Sequence, residues 1–133
     1  MSDIPDSLQY TEEHEYVKET EGENEVLIGI TDYAQGELGD VVFVELPRAG
    51  DSFGQGEAFG TIEAVKAVSE LYCPVAGEIV EVNDVLEADP ALVNSDPYGE
   101  GWMIRLRIDP GAALDELLTP DQYGSLIGEN GEG

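Results

Sequence analysis

The chain has very few basic side chains. Its 133 residues include five lysines and arginines against thirty aspartates and glutamates, which gives a formal net charge of -25. Such a surface would repel a phosphate backbone, so we expect no nucleic-acid partner. A globule of this mass exposes roughly 6,800 Å², or roughly 230 Å² per carboxylate. Repulsion at that spacing persists in dilute buffer but is screened in 1 M salt, where the screening length is about 3 Å. The acidity therefore predicts adaptation to the salt-rich cytoplasm of a halophilic organism.

Other residue types and patterns are also scarce or missing. Cys73 is the only cysteine, which excludes an intramolecular disulfide, and we expect it to be a half-buried apolar side chain. The sequence has no metal-ligand spacing, phosphate-binding glycine loop or nucleophile elbow, so we expect neither a catalytic nor a metal site. It also lacks an apolar run long enough to span a membrane and a signal peptide at the N-terminus. These absences predict a cytoplasmic protein whose function does not depend on a catalytic site of its own.

The apolar residues, 41% of the chain, fall in short runs rich in β-branched side chains, which indicates a mainly β fold with a few short helices. One or two short strands are predicted over residues 8–19, and further strands over residues 25–30, 40–46, 78–83 and 101–108. Two more strands are predicted to form a hairpin with Lys66 near its tip. Helices are predicted over residues 31–38, 90–93 and 114–118, and a C-terminal one from Thr119 and Pro120 onward. We expect a single domain over residues 1–128, followed by a disordered acidic tail over residues 129–133.

Lys66 stands out from this background. Lys66 and Lys18 are the only lysines, and Lys66 lies between two predicted strands with Val65 before it and Ala67 after it. A free lysine amine is mostly protonated and a poor nucleophile, so its acylation would require another enzyme. Amide formation would create a long tether that holds a reactive group near partner active sites at high effective concentration. The residues alone leave two readings open: a solvated lysine, or the attachment point of a swinging cofactor arm.

The side chains nearest to Lys66 in sequence are acidic. Glu63 precedes it by three residues and Glu70 follows it by four, and both read as surface acids. His14 lies among three glutamates, which would favour its protonated form. We expect His14 to be either a solvated surface residue or a polar contact near whatever Lys66 carries.

Ordered blocks along most of the chain carry a family resemblance. They are Tyr10-Thr11-Glu12-Glu13-His14-Glu15-Tyr16-Val17, Ile28-Gly29-Ile30-Thr31-Asp32-Tyr33-Ala34-Gln35, Leu38-Gly39-Asp40-Val41-Val42-Phe43-Val44-Glu45-Leu46-Pro47, Glu63-Ala64-Val65-Lys66-Ala67, Pro74-Val75-Ala76-Gly77-Glu78-Ile79-Val80-Glu81-Val82-Asn83 and Asn94-Ser95-Asp96-Pro97-Tyr98-Gly99-Glu100-Gly101-Trp102. With these blocks the sequence closely resembles the H protein of the glycine cleavage system. The lysine segment alone would fit any lipoyl domain, whereas the other blocks are specific to this family.

The resemblance implies a lipoyl-domain-like barrel-sandwich hybrid over residues 1–128, with lipoate amide-linked to Lys66. In this family the lipoyl arm accepts an aminomethyl group when a pyridoxal-phosphate glycine decarboxylase, the P protein, acts on glycine. An aminomethyltransferase, the T protein, takes the one-carbon unit, and a dihydrolipoyl dehydrogenase, the L protein, reoxidises the arm. A lipoate ligase or lipoyl transferase attaches the arm. The resemblance therefore implies a monomeric carrier with no turnover of its own.

The loaded arm in this family can fold back into a surface groove. By motif position, Glu15, Tyr33 and Glu70 are candidates to line that groove, and His14 lies beside it. The sequence departs from the family pattern at two of these positions. Glu70 stands where an aspartate is common, and Tyr33 stands where some members carry a histidine. These departures bear on the groove contacts more than on lipoylation.

Rival functions on the same fold differ in their residues. A biotinyl carrier normally places its lysine between methionines, whereas Val65 and Ala67 flank Lys66. A lipoyl domain of a 2-oxoacid dehydrogenase would be one module of a longer chain with an acyltransferase domain. An unmodified interaction module would require Lys66 to be incidental. A lipoate relay, which hands lipoyl groups to 2-oxoacid dehydrogenases, would use the same Lys66, so the sequence leaves that alternative open.

Overall fold

The computed structural model describes residues 4–20, 22, 24–109 and 117–127, which form two antiparallel sheets and four short helices. The strands are β1 (Gln9–Tyr10), β2 (Glu15–Glu19), β3 (Glu25–Ile30), β4 (Val41–Glu45), β5 (Ser52–Phe53), β6 (Ala58–Ala64), β7 (Val68–Tyr72), β8 (Gly77–Val82) and β9 (Ile104–Ile108). The helices are α1 (Asp32–Leu38), α2 (Val85–Ala88), α3 (Leu92–Ser95) and α4 (Pro120–Ile127).

The two sheets share one apolar core. The larger sheet has the strand order β1-β2-β3-β9-β8-β5, and the smaller sheet has the order β4-β6-β7. Ile28 and Leu106 from the larger sheet belong to the same buried cluster as Val44 and Ile62 from the smaller one. Removing these β-branched and leucine side chains from water is the main force that holds the sheets together. The mainly β expectation is therefore confirmed.

Strand β4 contains a bulge. Val41 pairs with Ala64 and Phe43 pairs with Glu63, so Val42 is an extra residue opposite the end of β6. Both Val42 and Phe43 are exposed as a result. A bulge of this kind redirects side chains and is common beside functional sites.

Helix α1 has the ends that its sequence predicts. The side-chain oxygen of Thr31 accepts a hydrogen bond from the N–H of Ala34, at 3.2 Å, and so caps the first turn. Gly39 ends the helix with a φ of 82°, and its N–H donates to the carbonyl oxygen of Gln35. This helix therefore begins and ends at fixed residues, beside the smaller sheet.

Helix α4 packs against β1, the strand at one edge of the larger sheet. Thr119 Oγ1 accepts from the N–H of Gln122, and the Gln122 side chain accepts from the N–H of Thr119, which together form a capping box. Tyr123 of this helix stacks on Tyr10 of β1 with ring centroids 4.7 Å apart. The predicted C-terminal helix is confirmed.

Some predicted elements differ from the structure. The helix predicted over residues 90–93 is shifted: α3 begins at Leu92, and Asp89 ends α2 instead of capping the next helix. The predicted strand over residues 101–108 begins only at Ile104. Residues 114–116 of another predicted helix lie outside the described residues, and Leu118 forms an isolated bridge with Tyr10 rather than a helical turn. The predicted tail over residues 129–133 also lies outside them, so the domain boundary at residue 128 stays a prediction.

Two arginines of β9 offset part of the acidic charge. Arg105 contacts Glu81 at 3.2 Å and Glu25 at 3.7 Å, and Arg107 contacts Glu78 at 3.6 Å. Exposed pairs of this kind contribute little individually, about 0 to 1 kcal/mol each.

None of the helices in the described part of the chain has the length and apolar character needed to cross a membrane.

Candidate functional site

Lys66 lies in the three-residue turn that joins β6 to β7. The N–H of Ala64 donates to the carbonyl oxygen of Ala67 at 2.8 Å, which closes the turn. The N–H of Val65 donates to the carbonyl oxygen of Asp40 at 3.0 Å, which ties the turn to the start of β4. The Lys66 side chain is exposed at the tip of this hairpin. A braced backbone therefore presents an accessible amine.

The stem of Lys66 passes over Gly39, the residue that ends α1. A Cβ atom added at Gly39 would lie 3.2 Å from Lys66 Cε. Gly39 thus leaves room for the stem and also adopts a backbone conformation that other residues disfavour. Leu38, the residue before Gly39 in the chain, lines a groove, so the outer part of the Lys66 stem passes close to a residue of that groove.

The groove has a volume of about 260 Å³ and is lined by α1, by the edge strand β7 and by the segment that leads into β2. Its lining residues are Glu13, His14, Glu15, Ile30, Tyr33, Ala34, Glu37, Leu38, Ile62, Ser69, Glu70 and Leu71. The structure brings together Glu15, Tyr33, Glu70 and His14, the four residues that the sequence nominated. Four lining residues are glutamates and none is a lysine or arginine, so the groove is strongly acidic.

Glu15 is the most deeply placed of these acids, with only 1% of its surface exposed. Thr11 Oγ1 donates to its Oε1 at 2.9 Å, and the backbone N–H of Tyr72 donates to its Oε2 at 3.1 Å. Because Tyr72 belongs to β7, this carboxyl group links the two sheets. Burial raises the pKa of Glu15 to about 8, although both hydrogen bonds act in the opposite direction. Glu15 is therefore mostly protonated at neutral pH.

The prediction that His14 favours its protonated form is wrong. Partial burial lowers the pKa of the His14 imidazole below its ordinary value, and this outweighs the attraction of Glu13 and Glu37. Its Nδ1 lies 2.8 Å from the hydroxyl of Tyr123, which in turn lies 2.7 Å from Thr31 Oγ1. His14 is thus a half-buried, hydrogen-bonded residue rather than a solvated one, and the uncharged imidazole is favoured.

Tyr33 and Glu70 complete the polar part of the groove from opposite sides. Tyr33 lies on α1 with its ring 5.1 Å from the ring of His14. Glu70 is exposed on β7, and its Oε1 accepts a hydrogen bond from the hydroxyl of Tyr72 at 3.2 Å, which raises the pKa of that tyrosine. Both side chains line the same groove.

Sequence reasoning missed three polar lining residues, Glu13, Glu37 and Ser69. Glu37 had a usable signal, because it lies four residues after Tyr33 and therefore on the same face of α1. Ser69 had none, because it lies on β7, far from α1 in sequence, and the two line one groove only in the folded chain. In the described residues, no group of three or more histidine, cysteine, aspartate or glutamate side chains could hold a metal ion.

Comparison with known proteins places this geometry in one family. The family model described as glycine cleavage H-protein matches residues 8–130. The glycine cleavage system H protein of Chlorobium limicola is 56% identical over 126 residues, which cover 95% of this chain and 98% of that protein. The corresponding protein of Carboxydothermus hydrogenoformans is 53% identical over 132 residues, which cover 99% of this chain and all of that protein.

A solved structure agrees with these relatives. The crystal structure of a glycine cleavage system H protein from Mycobacterium marinum matches this chain with a TM-score of 0.85 and 40% sequence identity. The match covers 94% of this chain and 99% of that one. This agreement confirms the lipoyl-domain-like fold that the sequence predicts. The chain therefore belongs to the glycine cleavage H-protein family.

Proposed function

We propose that this chain is the lipoyl carrier of the glycine cleavage system, with lipoate amide-linked to Lys66. The observation that carries the proposal is the position of Lys66 at the exposed tip of a braced hairpin, in a chain that belongs to the H-protein family. The bound lipoyl group would supply a disulfide that accepts the aminomethyl group of glycine and is later restored by oxidation. The chain itself supplies the tether, its exit direction and a place to hold the loaded end.

The surroundings of Lys66 fit an acylated amine. The side chain is exposed, and its stem passes over a residue with no Cβ. Acylation removes the positive charge of the ammonium group, so the neutral arm is no longer held at the surface by its hydration. An arm that starts beside Leu38 could then extend along the groove, where Ile62 and Leu71 offer apolar contact to its methylene groups.

The acidic lining of the groove suits the loaded end of the arm. An aminomethyl group carries a primary amine, which is a cation at neutral pH and is attracted by nearby carboxylates. Glu13, Glu37 and Glu70 line the groove with Glu15, and the lowered pKa of His14 removes a competing positive charge. A cation beside Glu15 would favour its carboxylate form, because opposite charges stabilise one another in a poorly hydrated site.

The same proposal defines the partners. The carrier presents its arm to a glycine decarboxylase, an aminomethyltransferase and a dihydrolipoyl dehydrogenase, after a lipoate ligase or lipoyl transferase has modified Lys66. In this proposal the chain is the carrier, and the partner enzymes carry out the chemistry. The chain and these enzymes act together in the cytoplasm. We also propose that the carrier acts as a monomer, since each partner needs access to Lys66 or to the arm that it carries.

Reconstitution with purified partner enzymes tests the proposal. The lipoylated chain should support glycine-dependent formation of NADH when the three enzymes and tetrahydrofolate are present. Lys66→Arg should abolish this activity, whereas Lys18→Arg, which changes the only other lysine, should leave it unchanged. A lipoylated chain that fails here but donates its lipoyl group to a 2-oxoacid dehydrogenase would be a relay instead. A chain that accepts biotin rather than lipoate would be a biotinyl carrier.

A further inference from the structure

Exposed apolar side chains gather around Lys66. The described residues include six large hydrophobic side chains with high exposure, and four of them are Val42, Phe43, Val65 and Val68. These four residues, which we call the apolar collar, lie on β4, on the Lys66 turn and at the start of β7. Contiguous apolar patches at a surface mark interaction sites, whereas single exposed apolar residues are ordinary.

Strand pairing places Phe43 and Val68 on the same face of the smaller sheet. Glu63 of β6 pairs with Phe43 on one side and with Val68 on the other, so these three residues form one row across the smaller sheet. The bulge in β4 adds Val42 beside Phe43 on the exposed surface. Without the bulge, the alternation of the strand would direct these two neighbours to opposite faces. The collar is therefore built by a specific irregularity opposite the Lys66 turn.

The collar has an acidic rim. Asp40 precedes β4 and accepts from the backbone of the Lys66 turn, Glu63 separates Phe43 from Val68, and Glu45 and Glu70 each pair with Thr61. Apart from Lys66, no lysine or arginine lies on β4, β6, β7 or the turn. A complementary partner surface would combine an apolar hollow with basic residues at its edge, since opposite potentials steer and align interfaces.

We propose that the apolar collar is the surface by which the acylating enzyme recognises the unmodified chain, and that this enzyme offers an apolar hollow edged by basic residues. The inference rests on the proposed function. In the acylation step, Nζ bonds to the carbonyl carbon of an activated lipoate such as an acyl adenylate. The bond from that carbon to the leaving phosphate oxygen breaks, and the amine gives up one proton.

Distance favours the acylating enzyme over the enzymes that handle the loaded arm. The amine is only one lysine side chain away from the hairpin backbone, so an active site that reaches Nζ must cover the collar. The reactive end of a finished arm lies much farther out, and an enzyme that acts there need not touch the hairpin. The collar is therefore positioned for the one reaction that occurs at Nζ itself.

Lipoylation kinetics test this inference with a matched control. Phe43 is 46% exposed, and Leu126, on helix α4 at the β1 end of the larger sheet, is 49% exposed. With a purified lipoate ligase, ATP and lipoate, Phe43→Ser should lower kcat/KM by roughly tenfold, mainly through KM, as expected for loss of an interface anchor. Leu126→Ser should react like the wild type. Val68→Ser, on β7 at the other side of β6, is a second collar variant, and it should also lower kcat/KM.

The possible results separate the two proposals. A wild-type chain that takes up no lipoyl group would overturn the proposed function and this inference together. A lipoylated wild type with unchanged kinetics for Phe43→Ser and Val68→Ser would overturn the inference alone, as would an equal loss for Leu126→Ser. Chains that have been fully lipoylated by long incubation provide the last check. Dihydrolipoyl dehydrogenase should turn over the lipoylated Phe43→Ser and wild-type chains equally, and a matching tenfold loss there would contradict the choice of partner.

Discussion

Among single residues, the buried carboxyl group of Glu15 has the clearest effect on stability. Its pKa rises from an ordinary 4.5 to about 8 in the folded chain, so the folded state retains a proton that the unfolded state releases. The contribution of Glu15 to the free energy of unfolding is therefore largest below pH 4.5. It falls as the pH rises through about 8. The change attributable to Glu15 over the whole pH range is at most about 5 kcal/mol.

Glu15→Gln should remove this pH dependence, because the amide stays uncharged. We expect the wild type to lose stability relative to the variant by up to about 4 kcal/mol between about pH 5 and about pH 9. Urea unfolding of both proteins across that range measures the difference. Glu70→Gln, which changes an exposed acid of the same groove, should run parallel to the wild type. A wild type that also runs parallel to Glu15→Gln would contradict the buried, protonated state of Glu15.

Sequence reasoning nominated residues that the structure brings together, but it did not predict their protonation states. The family resemblance nominated Glu15, Tyr33, Glu70 and His14, and all four line one groove. Glu15 is buried where it meets Tyr72, a residue 57 positions away in sequence, and its local sequence gives no sign of that contact. The pKa of His14 was misjudged for a related reason, because desolvation by burial in the fold outweighs the charges of Glu13 and Glu37.

Among the elements, the end of helix α1 controls the path of the Lys66 stem. Gly39→Ala would place a Cβ at a φ of 82° and against the stem, which should cost roughly 1 kcal/mol of stability and slow lipoylation. Gly36→Ala is the matched control, because it lies in the same helix with no atom within 4 Å of the added Cβ. We expect that control to be neutral or stabilising by up to about 1 kcal/mol.

Thermal unfolding and lipoylation rates of the two variants measure this difference. Equal effects of Gly39→Ala and Gly36→Ala on both quantities would show that the end of α1 does not direct the stem. A loss of stability without slower lipoylation would confirm the backbone strain at Gly39 and contradict its contact with Lys66.

Elements with strong local signals were predictable, and short ones were not. The strand over residues 25–30 and the helix over residues 32–38 match the structure. A polar turn marks the start of the strand, and capping residues mark the two ends of the helix. Helix α2 was missed because it has four residues and no side-chain cap, and β5 because it has only two residues. The bulge in β4 was also out of reach, since only the pairing with β6 reveals that Val42 is the extra residue.

For the whole molecule, the net charge of -25 should make stability depend on salt. Arginines 105 and 107 neutralise only a small part of the acidic surface, so repulsion among the remaining carboxylates acts on the folded state in dilute buffer. We expect the unfolding midpoint to rise from about 0.01 M to about 1 M potassium chloride, since the screening length falls from about 30 Å to about 3 Å.

Thermal unfolding at a series of salt concentrations measures this dependence, with sedimentation at each concentration to confirm that the chain stays monomeric. A midpoint that does not move between dilute and molar salt would contradict adaptation to a salt-rich cytoplasm. It would leave the carrier function intact, because that function depends on Lys66 and not on the acidic surface as a whole.

The central claim is that Lys66 carries a lipoyl group, and intact mass followed by peptide mapping tests it most directly. The chain is incubated with lipoate, ATP and a lipoate ligase, and the modified peptide is then identified. We predict one lipoyl adduct, located on Lys66, present in Lys18→Arg and absent in Lys66→Arg. No adduct on a chain whose fold is shown to be intact in molar salt, or an adduct that persists in Lys66→Arg, would contradict the claim.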